Sequence, residues 1–249
     1  MKRIIQNLLL MVQFLTRIPV NLNLPCEKED FKRGAIFLPV VGFIIGAIQW
    51  GIYELFIRIL PLEPTIVIIL LAGIIVTGAL HLDGLGDTCD GFFAFKGNDR
   101  IIEIMKDSRI GSYACIAVIF DLLFKYALFS SIAPSFPIGI IVVPIISRFT
   151  TVFIITIGKN AKKTGSGNLF VENVGKLQLF ISFLLTTGIL ILMMNAIHVI
   201  ILLFAGVVFT AIFNEFSKSK IGGITGDILG ANNELVEILT LILIAVILR

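Results

Sequence analysis

Seven apolar runs, each near the length of a bilayer crossing, dominate this sequence: residues 34–57, 65–80, 111–133, 138–157, 177–195, 198–214 and 234–249. A helix needs ~20 apolar residues to cross the hydrocarbon, and inside lipid it satisfies its own backbone hydrogen bonds. Only 15% of residues are charged and 57% are hydrophobic, whereas a soluble domain carries about a quarter charged residues. Mean hydropathy is +1.02. The pattern predicts an all-α, polytopic integral membrane protein, with residues 1–249 as one domain. The short runs 65–80 and 198–214 leave the count of seven spans open by one or two.

The first residues, Met1-Lys2-Arg3 followed by Ile4 to Leu15, imitate a signal peptide. Gln6, Asn7 and Gln13 interrupt the apolar stretch, and Arg17 follows without a small-residue cleavage site. An uncleaved interfacial or re-entrant helix is predicted instead.

Basic residues orient the chain. Segments 1–33, 81–110, 158–176 and 215–233 hold 16 of the 20 Lys and Arg. The positive-inside rule places those segments, and the N-terminus, in the cytoplasm. The expected location is the cell membrane, with every polar or acidic cluster facing inward. External loops 58–64, 134–137 and 196–197 are too short to build a site. No basic stripe points to nucleic acid. Cys26, Cys89 and Cys115 are odd in number and lack CxxC spacing, which predicts reduced thiols. Frequent glycine, 22 residues, suits close helix packing in lipid.

Residues 81–91, His-Leu-Asp-Gly-Leu-Gly-Asp-Thr-Cys-Asp-Gly, carry the sharpest chemical signal. Asp83, Asp87 and Asp90 fall at i, i+4 and i+7, one face of a helix. Like charges so placed need a compensating cation, and a divalent metal carrying phosphates is the usual one. The plain alternative is a solvated, helix-capping turn. Carboxylates near a membrane are costly, which favours the metal. Gly84, Gly86 and Gly91 leave room for a phosphate group near the backbone.

Three further clusters are candidates. In Met105-Lys106-Asp107-Ser108-Arg109-Ile110-Gly111, Asp107 is placed to complete a metal shell or accept a proton, while Lys106 or Arg109 neutralises phosphate oxygens. Ordinary juxtamembrane charge is the competing reading. In the segment Gly222 to Glu234, glycines 222, 223 and 226 free backbone N–H groups for phosphate, with Thr225 and Asn232 beside them, and Asp227 is a further metal ligand. A glycine-rich turn leading into a helix, with Glu234 and Glu237 in its first turns, is the alternative. The loop from Gly158 to Gly167 lacks Walker spacing, so its lysines are read as facing anionic lipid.

Two charges lie deep in spans. Asp121 and Arg148 each sit ~13–15 Å from the cytoplasmic end at 1.5 Å per residue. Because an isolated charge is costly there, the two are expected to pair. Contact with a substrate phosphate from below is a second reading of Arg148. Glu54 and Arg58 suit an i, i+4 pair. His81 is placed to orient Asp83 or a substrate, though boundary histidines are more often packing.

Five stretches together resemble the cobalamin synthase (adenosylcobinamide-GDP ribazoletransferase) family: Phe14-Leu15-Thr16-Arg17-Ile18-Pro19, Phe37-Leu38-Pro39-Val40-Val41-Gly42, His81 to Gly91, Ile104 to Gly111, and Gly222 to Glu237. They run in family order across nearly the whole chain. The resemblance implies a membrane-embedded, Mg2+-dependent transferase. A hydroxyl of α-ribazole, or of its 5′-phosphate, attacks the phosphorus nearest the corrinoid arm of adenosylcobinamide-GDP, and GMP leaves. On that reading Asp83, Asp87 and Asp90 hold metal, with Asp227 joining. Asp107 is the candidate base and Asp90 its competitor. Lys106 and Arg109 stabilise phosphate charge. His81, Gly84, Gly91, Arg148, Gly222, Gly223, Thr225, Gly226 and Asn232 contact substrate. Expected partners are the corrinoid nucleotide, α-ribazole, the bilayer, and either a second copy of the chain or other cobalamin-assembly enzymes.

Two rivals stand. Asp87-Thr-Cys-Asp90-Gly91-Phe92-Phe93-Ala94 opens like the CDP-alcohol phosphotransferase pattern, but Phe95 replaces its arginine and the later Gly-x3-Asp-x3-Asp is absent. A cation-coupled transporter would want acids along several spans and a path to both sides. Here they collect at one side.

Overall fold

The computed structural model describes residues 2–94, 98–161 and 170–248, and they are helical almost throughout. The order is α1 (Lys2–Leu15), α2 (Lys28–Gly34), a 3-10 turn (Ala35–Phe37), α3 (Leu38–Phe56), α4 (Leu62–Thr77), α5 (Leu80–Phe93) and α6 (Asn98–Ile104). Then come α7 (Ser112–Ile132), α8 (Gly139–Ile157), α9 (Lys176–Ile191), α10 (Ala196–Ile221) and α11 (Gly226–Ile247).

All seven expected apolar helices are present as α3, α4 and α7–α11. Among the described residues, five stretches are long and apolar enough to cross a membrane alone: Lys28–Phe56, α7, α8, α10 and α11. Helices α4 and α5 together make a sixth, bent by 88° between them. Helix α9, at 16 residues, is shorter than a full crossing. Two boundaries differ from expectation. Helix α10 runs seven residues beyond 214, and α11 begins eight residues before 234. Thr225 sets that start: its Oγ1 accepts from Ile228 N at 3.3 Å, satisfying an orphan N–H of the first turn.

Helix α8 is the axis of the bundle, buried along nearly all its length. Gly42 and Gly46, four apart on α3, let that helix cross α8 closely. A Cβ at Gly42 would lie 2.2 Å from the Pro144 carbonyl oxygen, and one at Gly46 2.7 Å from Ile141 Cα. Small residues at this spacing are how helices meet in lipid, where apolar side chains gain nothing by leaving the hydrocarbon. The outward faces of α7 and α10 expose Ile119, Phe120, Leu123, Ile200, Phe204 and Ile212, a surface suited to acyl chains. The chain is a multi-pass membrane protein. Helix α1 is short and packs on α2 and the 3-10 turn, with Leu10, Met11 and Leu15 in the core.

The feature that positions the site is the elbow between α4 and α5. Gly78 (φ 62°) and Ala79 (φ 60°) are both left-handed. Gly78 ends α4 as such a residue commonly does, and Ala79 then starts α5. Arg17 braces the turn: its N donates to Val76 O at 2.7 Å. Its side chain lies over Gly78, where a Cβ would come 2.3 Å from Nε. The Phe14–Pro19 segment therefore fixes where the acidic helix points.

Candidate active site

Helix α5 carries Asp83, Asp87 and Asp90 at the predicted spacing, but in three environments. Asp83 is exposed, Asp87 half-buried and Asp90 buried. The Asp90 carboxylate accepts from Gly111 N at 2.6 Å and from Ala114 N at 2.9 Å. Both oxygens thus cap the start of α7, a use that satisfies orphan backbone donors.

Asp83 and Asp87 open onto a cavity of about 460 Å³ whose opposite wall is the segment from Met105 to Ile110. The acidic stripe and the Lys106–Arg109 turn, two clusters with opposite charge in the sequence, therefore meet across one space. The charges acting on Asp87 are all negative: Asp83, Asp227 and Asp90. Among the described residues no ion pair joins Asp83 or Asp87 to a cation. Asp107, by contrast, is gripped by Arg109, with Nη2 at 2.6 Å and Nε at 3.0 Å. That bond holds the Asp107 carboxyl at about 2.

Asp227 stands in the first turn of α11, its carboxylate 3.3 Å from Thr225 Oγ1. Asp83, Asp227, Gly226 and His81 border a second, smaller cavity of about 110 Å³ on the other side of α5. Asp83 is common to both spaces.

No three His, Cys, Asp or Glu among the described residues stand close enough to hold a metal by themselves. The donor chemistry nonetheless suits Mg2+, which is bound through one or two carboxylates and substrate phosphates rather than in an all-protein cage. Asp83 and Asp87 offer hard oxygen donors whose charge no cation among the described residues pairs with.

Several expectations require correction. Gly84 is not open to phosphate: it seats α5 on α11, where a Cβ would lie 2.8 Å from Asp227 O. Gly91 likewise abuts α6 and the residue after it, where a Cβ would lie 2.5 Å from Met105 Cγ. Gly222 (φ 77°) ends α10 as its left-handed cap, with open space around it. Gly223 presses on the backbone of 159–161, where Ile224 N donates to Lys159 O at 2.8 Å and Ala161 N to Ile224 O at 3.0 Å. Thr225 is the cap of α11. Asn232 is wholly buried against α8, its Nδ2 3.4 Å from Thr150 Oγ1, out of reach of either cavity. The lysine loop falls largely at 162–169, outside the described residues.

Asp121 and Arg148 do not pair. Asp121 meets Lys125 on its own helix at 3.2 Å. Arg148 bonds Glu237 of α11 and donates to Ser147 Oγ at 3.1 Å. Lys125 also reaches Glu237 at 2.9 Å and bonds Glu234. Arg148 is 3% exposed and does not border the large cavity. Its Nη2 donates to His81 Nδ1 at 3.4 Å. A guanidinium has no acceptor, so the His81 ring proton belongs on Nε2. Glu54 and Arg58 form no ion pair among the described residues.

The grouping of Lys125, Glu234 and Glu237 escapes a reading of the sequence. A start of α11 at 234 makes both glutamates first-turn residues, although Thr225 followed by the apolar positions Ile228, Leu229 and Ala231 marks the earlier start. Arg17 stands out only as part of a motif; nothing local shows that it covers a turn sixty residues away.

The family described as Cobalamin-5-phosphate synthase matches residues 7–245. A Clostridium kluyveri protein named Adenosylcobinamide-GDP ribazoletransferase is 59% identical over 250 residues, covering 100% of this chain and 99% of the relative. Proteins of the same name from Clostridium tetani and Clostridium botulinum (strain Langeland) are 50% and 49% identical, each over 98% of this chain and 98% and 99% of the relative. No solved structure matches. With the acidic elbow, the facing basic turn and a match that spans nearly every helix, the chain belongs to the cobalamin-5-phosphate synthase family.

Proposed function

We propose that this chain is an adenosylcobinamide-GDP ribazoletransferase working from the cytoplasmic face of the cell membrane. A hydroxyl of α-ribazole, or of its 5′-phosphate, forms a bond to the phosphorus nearest the corrinoid arm. The bond from that phosphorus to the bridging oxygen breaks, GMP leaves with that oxygen, and the hydroxyl proton passes to a base. The observation that carries the reading is the 460 Å³ cavity, which sets the carboxylates Asp83 and Asp87, without an ion pair among the described residues, against Lys106 and the Asp107–Arg109 pair.

Asp83 and Asp87 are the residues that would hold Mg2+, with Asp227 near enough to act on Asp87 electrostatically. When bound, the ion supplies charge neutralisation for a diphosphate and its departing monophosphate. Lys106 and Arg109 sit where phosphate oxygens would enter. Asp107 is a weak base, since a carboxyl held at about 2 has little affinity for a proton near neutrality. Its role on this reading is to aim the Arg109 fork. Asp90, occupied by two backbone donors, is a structural cap that holds α5 to α7. The acids left as acceptors are Asp83, Asp87 and Asp227, of which Asp227 is the one not needed to hold the ion.

Purified protein in nanodiscs, given guanylylated cobinamide and α-ribazole, is expected to release GMP only with Mg2+ present. GMP release unaffected by chelation would remove the metal from the reading. No GMP under any condition, with uptake of cations into proteoliposomes, would favour the transporter instead.

A further inference from the structure

The 110 Å³ cavity behind α5 has a character unlike the large one. Phe14, Leu38, Leu80, Ile155 and Phe170 give it apolar walls, while His81, Asp83 and Asp227 lie along one side. Phe14 and Phe170 stand with ring centroids 5.4 Å apart and tilted by 59°. Both also pack on Phe31, at 5.3 Å and 5.1 Å, so the aromatic wall is braced from behind. The volume is far below the roughly 300–1,000 Å³ that encloses a drug-sized ligand. It is too small for a corrin ring and of the order of one aromatic ring, so a larger base would extend past its mouth. The space adjoins the catalytic cavity, because Asp83 faces both.

We propose that this cavity is the subsite for the aromatic base of the incoming nucleoside. The proposal rests on the ribazoletransferase reading above and adds to it the place of the second substrate. A base held against the wall of Phe14, Phe170 and Leu80 leaves its ribose at the polar side, next to Asp83. The attacking hydroxyl then emerges beside the carboxylate that separates it from the diphosphate. Aromatic walls recognise a planar heterocycle through its faces and edges, and His81, its ring contacted by Arg148 at Nδ1, lines the polar side. Selection among aromatic bases of different length is then a matter of cavity length, set by Leu80 at the mouth, which is 45% exposed.

Leu80→Trp tests this with little risk to the fold, because the side chain replaced is at the surface. With the riboside of dimethylbenzimidazole, the expected result is a KM raised ~10-fold, with the KM for guanylylated cobinamide unchanged. A riboside with a one-ring base should be affected less. The introduced indole also reports binding without turnover: its emission, corrected for Trp50 with the unsubstituted protein, should change on adding α-ribazole alone. A rise confined to the KM for guanylylated cobinamide would assign the cavity to the corrinoid side and overturn the proposal. So would unchanged constants together with a silent indole, the result for a cavity filled by an acyl chain. Loss of GMP release in the unsubstituted protein would instead strike the ribazoletransferase reading itself.

Discussion

At the elbow end, Asp83 and Asp87 line an open cavity and neither is ion-paired among the described residues. Deeper in the bundle, Glu234 and Glu237 meet Lys125 and Arg148 around a space of only about 60 Å³, with Asp121 on Lys125 beside it. The two regions are tied through α5, since His81 touches Arg148 and stands two residues before Asp83. Buried charges persist when each finds a partner and further hydrogen bonds. Glu237 of the inner group meets that condition: Ser147 Oγ and Asn233 Nδ2 both donate to its Oε1 at 3.2 Å, beside Lys125 and Arg148. The outer group does not meet it with side chains. Its surplus negative charge is available to something that arrives from outside, and this separates a site from a strut.

The sharpest way to break that distinction is to neutralise one acid in each region. Asp87→Asn is expected to lower GMP release at least ~10²-fold, the scale of losing a charge-stabilising group, with the folded yield and melting temperature in detergent unchanged. Glu237→Gln is expected to do the reverse in order. It takes from the buried Arg148 the carboxylate it pairs with, although Lys125 keeps Asp121 and Glu234, and costs about 3–5 kcal/mol of stability, read as a lowered melting temperature. If Asp87→Asn melted early while Glu237→Gln stayed both stable and active, the two roles would be exchanged.

A smaller effect sharpens the outer region. Asp107 is fully ionised at neutral pH, because its carboxyl is depressed to about 2 by Arg109. A depressed carboxyl keeps its ion pair above the unfolded value and loses it only as pH falls through the folded one. Asp107→Asn should therefore leave the acid limb of the kcat/KM profile where it was. It should raise the KM for guanylylated cobinamide severalfold as Arg109 loses its aim. Disappearance of an acid limb in this variant would restore Asp107 as the proton acceptor.

How much of this is legible without coordinates differs by region for a physical reason. The Asp83–Asp87–Asp90 stripe is local: its spacing lies within one helix, so periodicity alone places it on one face. What periodicity does not carry is the neighbour. Gly111 and Ala114 turn Asp90 into a cap across a connection of some twenty residues, and α11 closes Gly84. The meeting of Asp87 with Lys106 and Arg109 is legible because the two segments adjoin in sequence around one short helix. Lys125, Arg148 and Glu237 come from three helices, and choosing among buried partners for Arg148 needs the rotation of each helix. Asp121 satisfies the cost argument just as well on paper, but Lys125 one turn away already answers it.

The elbow is the least legible element, because it depends on an alanine in a conformation that L-residues avoid. Ala79 at φ 60° carries about 1–2 kcal/mol relative to the right-handed region. Strained backbone held by its surroundings gathers at functional sites, and here it turns α5 by 88° so that Asp83 and Asp87 face the Lys106–Arg109 turn. Ala79→Gly removes the Cβ conflict while keeping the φ the turn requires. The expected outcome is a gain of about 0.5–1 kcal/mol in stability, seen as a modestly higher melting temperature, with GMP release within about twofold of the unsubstituted protein. If stability fell instead, the bend would owe its shape to packing by Arg17 and α1 rather than to the torsion at residue 79. The outer region would then be held by neighbours, as the inner one is held by charge.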